Sequence, residues 1–196
     1  MANTIELSQH NIYALFESMD KELASHGSEF AFVQLRMSAE RFIVPICGLA
    51  SDKILHTLKP DQYHVYFEKK LQQFKQGPVD LVLVPINGST PYCFEFKIVW
   101  MKGIRGNITG IKNDFEKLNG YDRGFIVAVL FSFDTSSAWA PYTHKGDMDQ
   151  LSKQVVAEIG KPVYEGQVYQ IATREAKGEA KLIAWEACNW NSGRVE

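Results

Sequence analysis

The fold is decided by residues 78–99, which read PVDLVLVPINGSTPYCFEFKIV. Two apolar runs in this stretch, residues 79–84 and 92–99, are typical of buried β-strands. Between them lies Asn87-Gly88, the dipeptide most favoured in a tight hairpin because both residues accept positive φ angles. The stretch therefore predicts two neighbouring antiparallel strands joined by a tight turn.

The flanking segments extend this pair into a mixed sheet. Residues 63–68 are rich in aromatic side chains and predict a preceding strand, and residues 125–131 are apolar on both faces, as in a strand covered on both sides. Between the last two strands, apolar residues recur at spacings of three and four and predict a helix that ends at Asn119-Gly120: Ile108, Ile111, Phe115 and Leu118. The order of elements predicts an α/β fold with a mixed central sheet flanked by helices.

The two ends of the chain give a weaker pattern. An N-terminal helix is predicted by the helical spacing of Ile12, Leu15, Phe16, Met19 and Leu23, with Gly27 as a stop. Residues 29–50 suit a strand or a helix, and Pro45 is expected to end or kink any helix that reaches it. Residues 148–159 predict a helix. Residues 167–173 and 181–186 predict a C-terminal β-hairpin extension around Lys177-Gly178-Glu179.

Length and composition favour one globular domain. The 196 residues are 45% hydrophobic and 22% charged, which excludes disordered and fibrous classes, and no run of about 18 apolar residues predicts a membrane span. The start lacks the pattern of a secretory signal, and three scattered cysteines favour a reducing, cytoplasmic location. Because the net charge is −2, a polyanionic partner needs a local basic patch.

Charged residues interrupt the two central strands. Asp80 lies in the first, and Glu95 and Lys97 share one face of the second. If Asn87 and Gly88 are the central turn residues, Asp80 lies directly opposite Glu95, with Cβ atoms about 5 Å apart. Such opposed carboxylates repel each other, and a divalent cation such as Mg²⁺ or Mn²⁺ would offset their charge. The alternative is an ordinary solvated strand face.

The pattern of Pro78-Val79-Asp80, fourteen intervening residues and Glu95-Phe96-Lys97 resembles the signature of the PD-(D/E)XK nuclease superfamily. The order of elements is similar to that superfamily's αβββαβ core, which would make the fold restriction-endonuclease-like. The likeness covers about residues 62–133 and extends to residues 28–50. On this basis residues 1–196 form one domain, with a core at about 28–133 and a C-terminal elaboration at 134–196.

The resemblance implies roles for the matching residues. Asp80 and Glu95 would hold Mg²⁺ or Mn²⁺ with the backbone carbonyl of Phe96, and Lys97 would assist the attacking water or stabilise charge on the phosphate. Members of this superfamily often add an acidic residue from the helix before the sheet. Glu40 is the candidate for that residue, with Glu29 as the alternative, and Glu68 could instead be a second metal ligand.

The expected substrate is DNA, and the phosphate contacts would come from basic residues close to the metal. Residues 97–123 hold six basic residues against three acidic ones. Lys102 and Arg105 are the first candidates for contacting phosphate, and Lys69 and Lys70 form another small cluster. Asp114 and Lys117 are expected to form an ordinary surface pair three residues apart.

The alternative interpretation is that the chain has this fold but does not cut nucleic acid. The chain would then be a module that binds nucleic acid or protein inside a larger defence or repair assembly. Cutting both strands of DNA would instead favour a homodimer with two-fold symmetry.

Overall fold

The computed structural model describes residues 5–27, 40–71, 77–100, 103–119, 121–135, 147–172 and 176–190. The helices in these segments are α1 (Gln9–Ser25), α2 (Glu40–Leu58), α3 (Ile104–Leu118) and α4 (Met148–Ile159), followed near the C-terminus by a short 3₁₀ turn. The predicted α1, α3 and α4 are confirmed. None of the described helices is long and apolar enough to cross a membrane.

One mixed sheet organises the fold. Its strands are β1 (Tyr63–Lys69), β2 (Val79–Pro85), β3 (Tyr92–Trp100), β4 (Gly124–Thr135), β5 (Tyr164–Glu165), β6 (Tyr169–Ala172) and β7 (Ala176–Glu186). The strand order is β1-β2-β3-β4-β7-β5, and β6 also pairs with β7. The first three strands are antiparallel, and α3 crosses over so that β4 runs parallel to β3. The prediction of an α/β fold with a mixed sheet is therefore confirmed.

Helices cover both faces of the sheet, because the strands are apolar on both sides. The helices α1 and α2 pack on one face, where their buried residues join a core that includes Phe94, Phe125 and Leu182. The helices α3 and α4 pack on the other face with Val82, Ile126 and other alternating strand residues. The result is a three-layer α/β/α arrangement in which Glu95 and Lys97 alternate onto the α3 face.

The register of β2 and β3 agrees with the predicted register. Leu81 pairs with Phe94, and Leu83 pairs with Tyr92. The turn differs from the two-residue hairpin, because the hydrogen bond from the Gly88 amide to the Pro85 carbonyl places Ile86 and Asn87 at its centre. The connection between β2 and β3 is correspondingly longer. The predicted register still holds, because the pair of Leu83 with Tyr92 encloses eight residues whose midpoint lies between Asn87 and Gly88.

Helix α2 resolves the ambiguity of residues 29–50 as far as the structure describes them, and it excludes one of the two expected effects of Pro45, the end of the helix. The helix continues through Pro45, although a proline inside a helix removes a backbone hydrogen bond and costs about 3 kcal/mol. Buried neighbours on both sides compensate, since each buried apolar side chain contributes about 1.5–3 kcal/mol. These neighbours are Ile43, Val44, Ile46 and Cys47.

The C-terminal hairpin is present, but its turn and its place in the fold differ from the prediction. Ala172 pairs with Lys177 and Ile171 with Gly178, so Lys177-Gly178-Glu179 lies within β7 and is not the turn. Residues 173–175, between the two strands, are outside the described residues. In addition, β7 pairs with all of β4 except Gly124: the first pair joins Phe125 to Glu186, and the last joins Thr135 to Ala176. The segment is therefore a central part of the sheet and not an added extension.

Candidate active site

The three residues of the sequence motif lie where β2 and β3 meet beneath α3. The register that pairs Leu81 with Phe94 brings Asp80 level with Glu95, one residue beyond the last described pair. The side chain of Asp80 folds onto β3, where Oδ2 accepts a hydrogen bond of 2.8 Å from the backbone N–H of Phe96. Asp80 therefore closes the end of the β2–β3 ladder with one oxygen, and this bond does not use Oδ1.

The backbone of β1 is distorted beside Asp80. Glu68 has a φ angle of 47°, which is uncommon for a residue other than glycine, and it lies between the pairs Phe67–Leu81 and Lys69–Val79. These flanking pairs place Glu68 level with Asp80 on its other side. Its side chain is exposed. Asp80 thus lies between two glutamate positions, one buried and one exposed.

Helix α3 contributes two further charged residues to the site. Asp114 Oδ2 lies 3.0 Å from Lys97 Nζ, and Lys117 Nζ lies 2.5 Å from Glu95 Oε1. Lys117 Nζ also donates a hydrogen bond of 2.6 Å to the Pro78 carbonyl. The predicted surface pair between Asp114 and Lys117 is wrong, because each of the two residues instead pairs with an opposite charge on β3.

Close contact between α3 and β3 makes these pairs possible. A Cβ atom at Gly110 would lie 3.5 Å from Cδ and Cε of Lys97, so the lysine stem passes directly under this part of the helix. The apolar residues of α3, such as Ile111 and Leu118, are buried against the sheet. Asp114 follows Ile111 by three residues and precedes Leu118 by four, which places it at the edge of this buried stripe. That spacing is the signal in the sequence that would have located Asp114.

Burial dominates the electrostatics of the site. Only 5% of the Glu95 side chain is exposed, and burial together with the nearby charge of Asp80 raises the pKa of Glu95 to about 8, in spite of Lys117. Burial also raises the pKa of Asp114, although Lys97 acts in the opposite direction. Carboxylates with raised pKa values in one cluster are typical of functional sites, and also of structural ion-pair networks.

The oxygen atoms of the site suit a hard divalent cation by their chemistry. Glu95 Oε1 and Asp114 Oδ2 are buried, and each contacts a lysine ammonium without receiving a hydrogen bond of good geometry. Within the part of the chain that the structure describes, no three His, Cys, Asp or Glu side chains are grouped closely enough to enclose a metal ion. Mg²⁺ usually keeps several water ligands and needs only one or two carboxylates, so Asp80 and Glu95 fit an open site of that kind.

The structure does not single out one of the predicted candidates for the third acidic residue. Glu40 is the first described residue of α2, and its side chain is outside the described structure, as is the whole of Glu29. Glu68 lies level with Asp80 on β1. Asp114, which sequence reasoning missed, is the acidic residue that the structure brings to the site.

Most of the predicted basic patch is already paired with carboxylates. Lys112 pairs with Glu158 and Arg123 with Glu6, in addition to the pairs of Lys97 and Lys117. Arg105 is exposed in the first turn of α3, nine residues and about 14 Å along the helix from Asp114. Lys102 lies outside the described residues.

The basic cluster on β1 lies at the edge of the sheet. Lys69 Nζ is 3.5 Å from the centre of the Tyr66 ring, and Lys70 is exposed. Next to this cluster, a groove of about 510 Å³ lies between α2 and β1 and is lined by acidic, basic and apolar residues including Asp52, Lys59 and Phe67. Its lining does not include Asp80, Glu95 or Lys97, so the groove is separate from the motif.

Comparison of the chain with protein-family models, with curated proteins and with solved structures finds no match.

Proposed function

We propose that this protein is a metal-dependent nuclease that hydrolyses DNA phosphodiester bonds, with the restriction-endonuclease-like fold of the PD-(D/E)XK superfamily. The observation that carries the proposal is the position of Asp80 beside Glu95 and Phe96 at the predicted register, with Lys97 on the same face as Glu95. The topology supports it, because three antiparallel strands are followed by a helical crossover into a parallel strand, in the order of the superfamily core.

The proposed roles follow from the chemistry of the residues. Asp80, through the oxygen that does not bind Phe96, and Glu95 would hold Mg²⁺ or Mn²⁺, with the Phe96 carbonyl as a further oxygen ligand. The bound cation would stabilise negative charge on the phosphate and lower the pKa of a bound water. Lys97 would orient that water or stabilise developing charge, and Asp114 would keep its ammonium group in position through the contact of 3.0 Å.

Fewer residues support the proposal that the substrate is DNA. Of the residues expected to contact phosphate, Arg105 and Lys70 are exposed, Lys69 is half-buried, and Lys102 is adjacent to α3 in sequence. Since the protein has a net charge of −2, we propose that DNA is held by these local groups, within a homodimer or a larger assembly. Three free cysteines, Cys47, Cys93 and Cys188, agree with a cytoplasmic location.

The test is a cleavage assay. Supercoiled and linear DNA are incubated with the purified protein in Mg²⁺ or Mn²⁺, beside the variants Asp80→Ala and Lys97→Ala. We expect cleavage by the wild type and a loss of at least about 100-fold in each variant, the scale typical of a catalytic group. Asp149→Ala, at an exposed position in the first turn of α4, is the matched control and should cut like the wild type. Equal residual cleavage in all four proteins would refute the proposal.

A second candidate function is favoured by one observation. Because Glu95 is almost fully buried and already contacts Lys117, the fold can be held together without a metal ion. The protein would then be a non-cutting module that binds nucleic acid or protein within a larger assembly. Calorimetric titration with Mn²⁺ separates the two, since a scaffold of this kind has no reason to bind the ion at Asp80.

A further inference from the structure

Lys117 occupies a specific place in the site. Its Nζ contacts Glu95 Oε1 at 2.5 Å and donates to the Pro78 carbonyl at 2.6 Å, so the ammonium group bridges the acidic residue of β3 and the residue that precedes β2. Only 10% of the Lys117 side chain is exposed. Lys117 is therefore more buried than Lys112 on the same helix, whose side chain is 36% exposed and pairs with a half-exposed Glu158.

When Glu95 is ionised, the ammonium group of Lys117 provides the opposite charge that this carboxylate needs in a buried position. A carboxylate removed from water is costly unless an opposite charge and hydrogen bonds compensate it. The other lysine of the site, Lys97, contacts Asp114 at 3.0 Å. Lys117 is therefore the cation that balances Glu95.

A divalent cation bound to Glu95 would meet this ammonium group at the same carboxylate. Two positive charges within a few ångströms of each other repel strongly in a site with little water, so both cannot remain in close contact with Oε1. The side chain of lysine has four flexible carbons, and its ammonium group can move away from Glu95 without a change in the backbone.

We propose that Lys117 is a built-in counter-ion that competes with the divalent cation for Glu95, which keeps the site latent until the ion displaces the ammonium group. The inference rests on the proposed function, because it takes Glu95 as a ligand of Mg²⁺ or Mn²⁺. On this proposal a residue of α3, outside the sequence motif on β2 and β3, controls the affinity of the site for the metal ion.

The test measures Mn²⁺ binding directly by calorimetric titration and does not depend on cleavage. Lys117→Met removes the charge and keeps most of the apolar stem, and we expect it to bind Mn²⁺ about tenfold more tightly than the wild type, or more. Lys117→Arg keeps the charge and should not tighten binding. Lys112→Met is the matched control from the same helix and should bind like the wild type.

The outcomes separate the inference from the proposed function. If the wild type binds Mn²⁺ and Lys117→Met binds it no more tightly, the inference is refuted and the proposed metal site remains. If neither protein binds Mn²⁺, both are refuted. Thermal unfolding of each variant checks its fold, and Lys117→Gln replaces Lys117→Met in the same comparison if the methionine variant does not fold.

Discussion

Replacement of Glu95 by glutamine should change how stability depends on pH. In the folded protein, burial and the charge of Asp80 raise the pKa of Glu95 from 4.5 to about 8. Between these two values the folded protein keeps a proton that the unfolded chain loses, so the free energy of unfolding falls as the pH rises. Stability from this group is complete below about pH 4.5 and is lost as the pH rises through about 8. Glu95→Gln removes the titration and should abolish this part of the slope.

The size of the effect follows from the shift in pKa. One pKa unit corresponds to about 1.4 kcal/mol, so a single group changes the free energy of unfolding by at most about that amount per pH unit. Between pH 5 and pH 7 the wild type should lose about 2 kcal/mol more than Glu95→Gln. Asp114, whose pKa is also raised, contributes to the slope of both proteins and is therefore removed from the comparison.

The assay is urea unfolding at pH 5, 6, 7 and 8, followed by tryptophan fluorescence or circular dichroism. Glu116→Gln is the matched control, because Glu116 is an exposed residue of the same α3 helix. Its stability curve should run parallel to that of the wild type. A Glu95→Gln curve that is also parallel to the wild type from pH 5 to pH 8 would refute the explanation of the site by burial and neighbouring charge.

Two predictions concern the rest of the fold. Gly166→Ala should lower the free energy of unfolding by about 1–3 kcal/mol, because the new Cβ would lie 2.6 Å from Oδ2 of Asp20. Gly106→Ala has no heavy atom within 4 Å of the new Cβ and should be neutral or slightly stabilising; equal thermal shifts in the two variants would contradict the steric explanation. Glu165→Gln should cost about 1–2 kcal/mol at pH 7, because Lys181, which is only 9% exposed, loses the charge that contacts it at 2.6 Å. Since Lys181 holds the pKa of Glu165 below its usual 4.5, the difference from the wild type should vanish as the pH falls through the folded-state pKa; a difference that persists at low pH in urea unfolding would contradict this cause.

The features that sequence predicts well are those determined by local periodicity. The buried side chains of α1 are the five residues identified from their helical spacing, and α4 has the predicted bounds. The β2–β3 register was also predictable, because a shift by one residue would turn apolar side chains such as Leu81 and Leu83 to the wrong face.

Features that depend on distant contacts were not predictable in the same way. The position of β7 is determined by eleven pairs with β4, and no local pattern in residues 176–186 specifies this partner. Pro45 remains within α2 because burial on both sides outweighs a local penalty. Both cases are examples of tertiary packing overriding the preferences of a short segment.

The candidate site shows the same division. Asp80, Glu95 and Lys97 could be placed from alternation and register alone. The pairing of Asp114 and Lys117 with the strand residues depends on how α3 packs on β3 and on the length of the lysine stems. Asp114 and Lys117 are three residues apart on the helix, and this spacing fits a surface pair as well as it fits two separate contacts with the sheet.

Crystallographic analysis of the protein soaked in Mn²⁺, with data collected at a wavelength where manganese scatters anomalously, tests the central claim most directly. We predict one anomalous peak within about 2.5 Å of carboxylate oxygens of both Asp80 and Glu95, and no peak at this place in Asp80→Ala. Wild-type crystals in which Glu95 still contacts Lys117 and no manganese lies between the two carboxylates would contradict the claim.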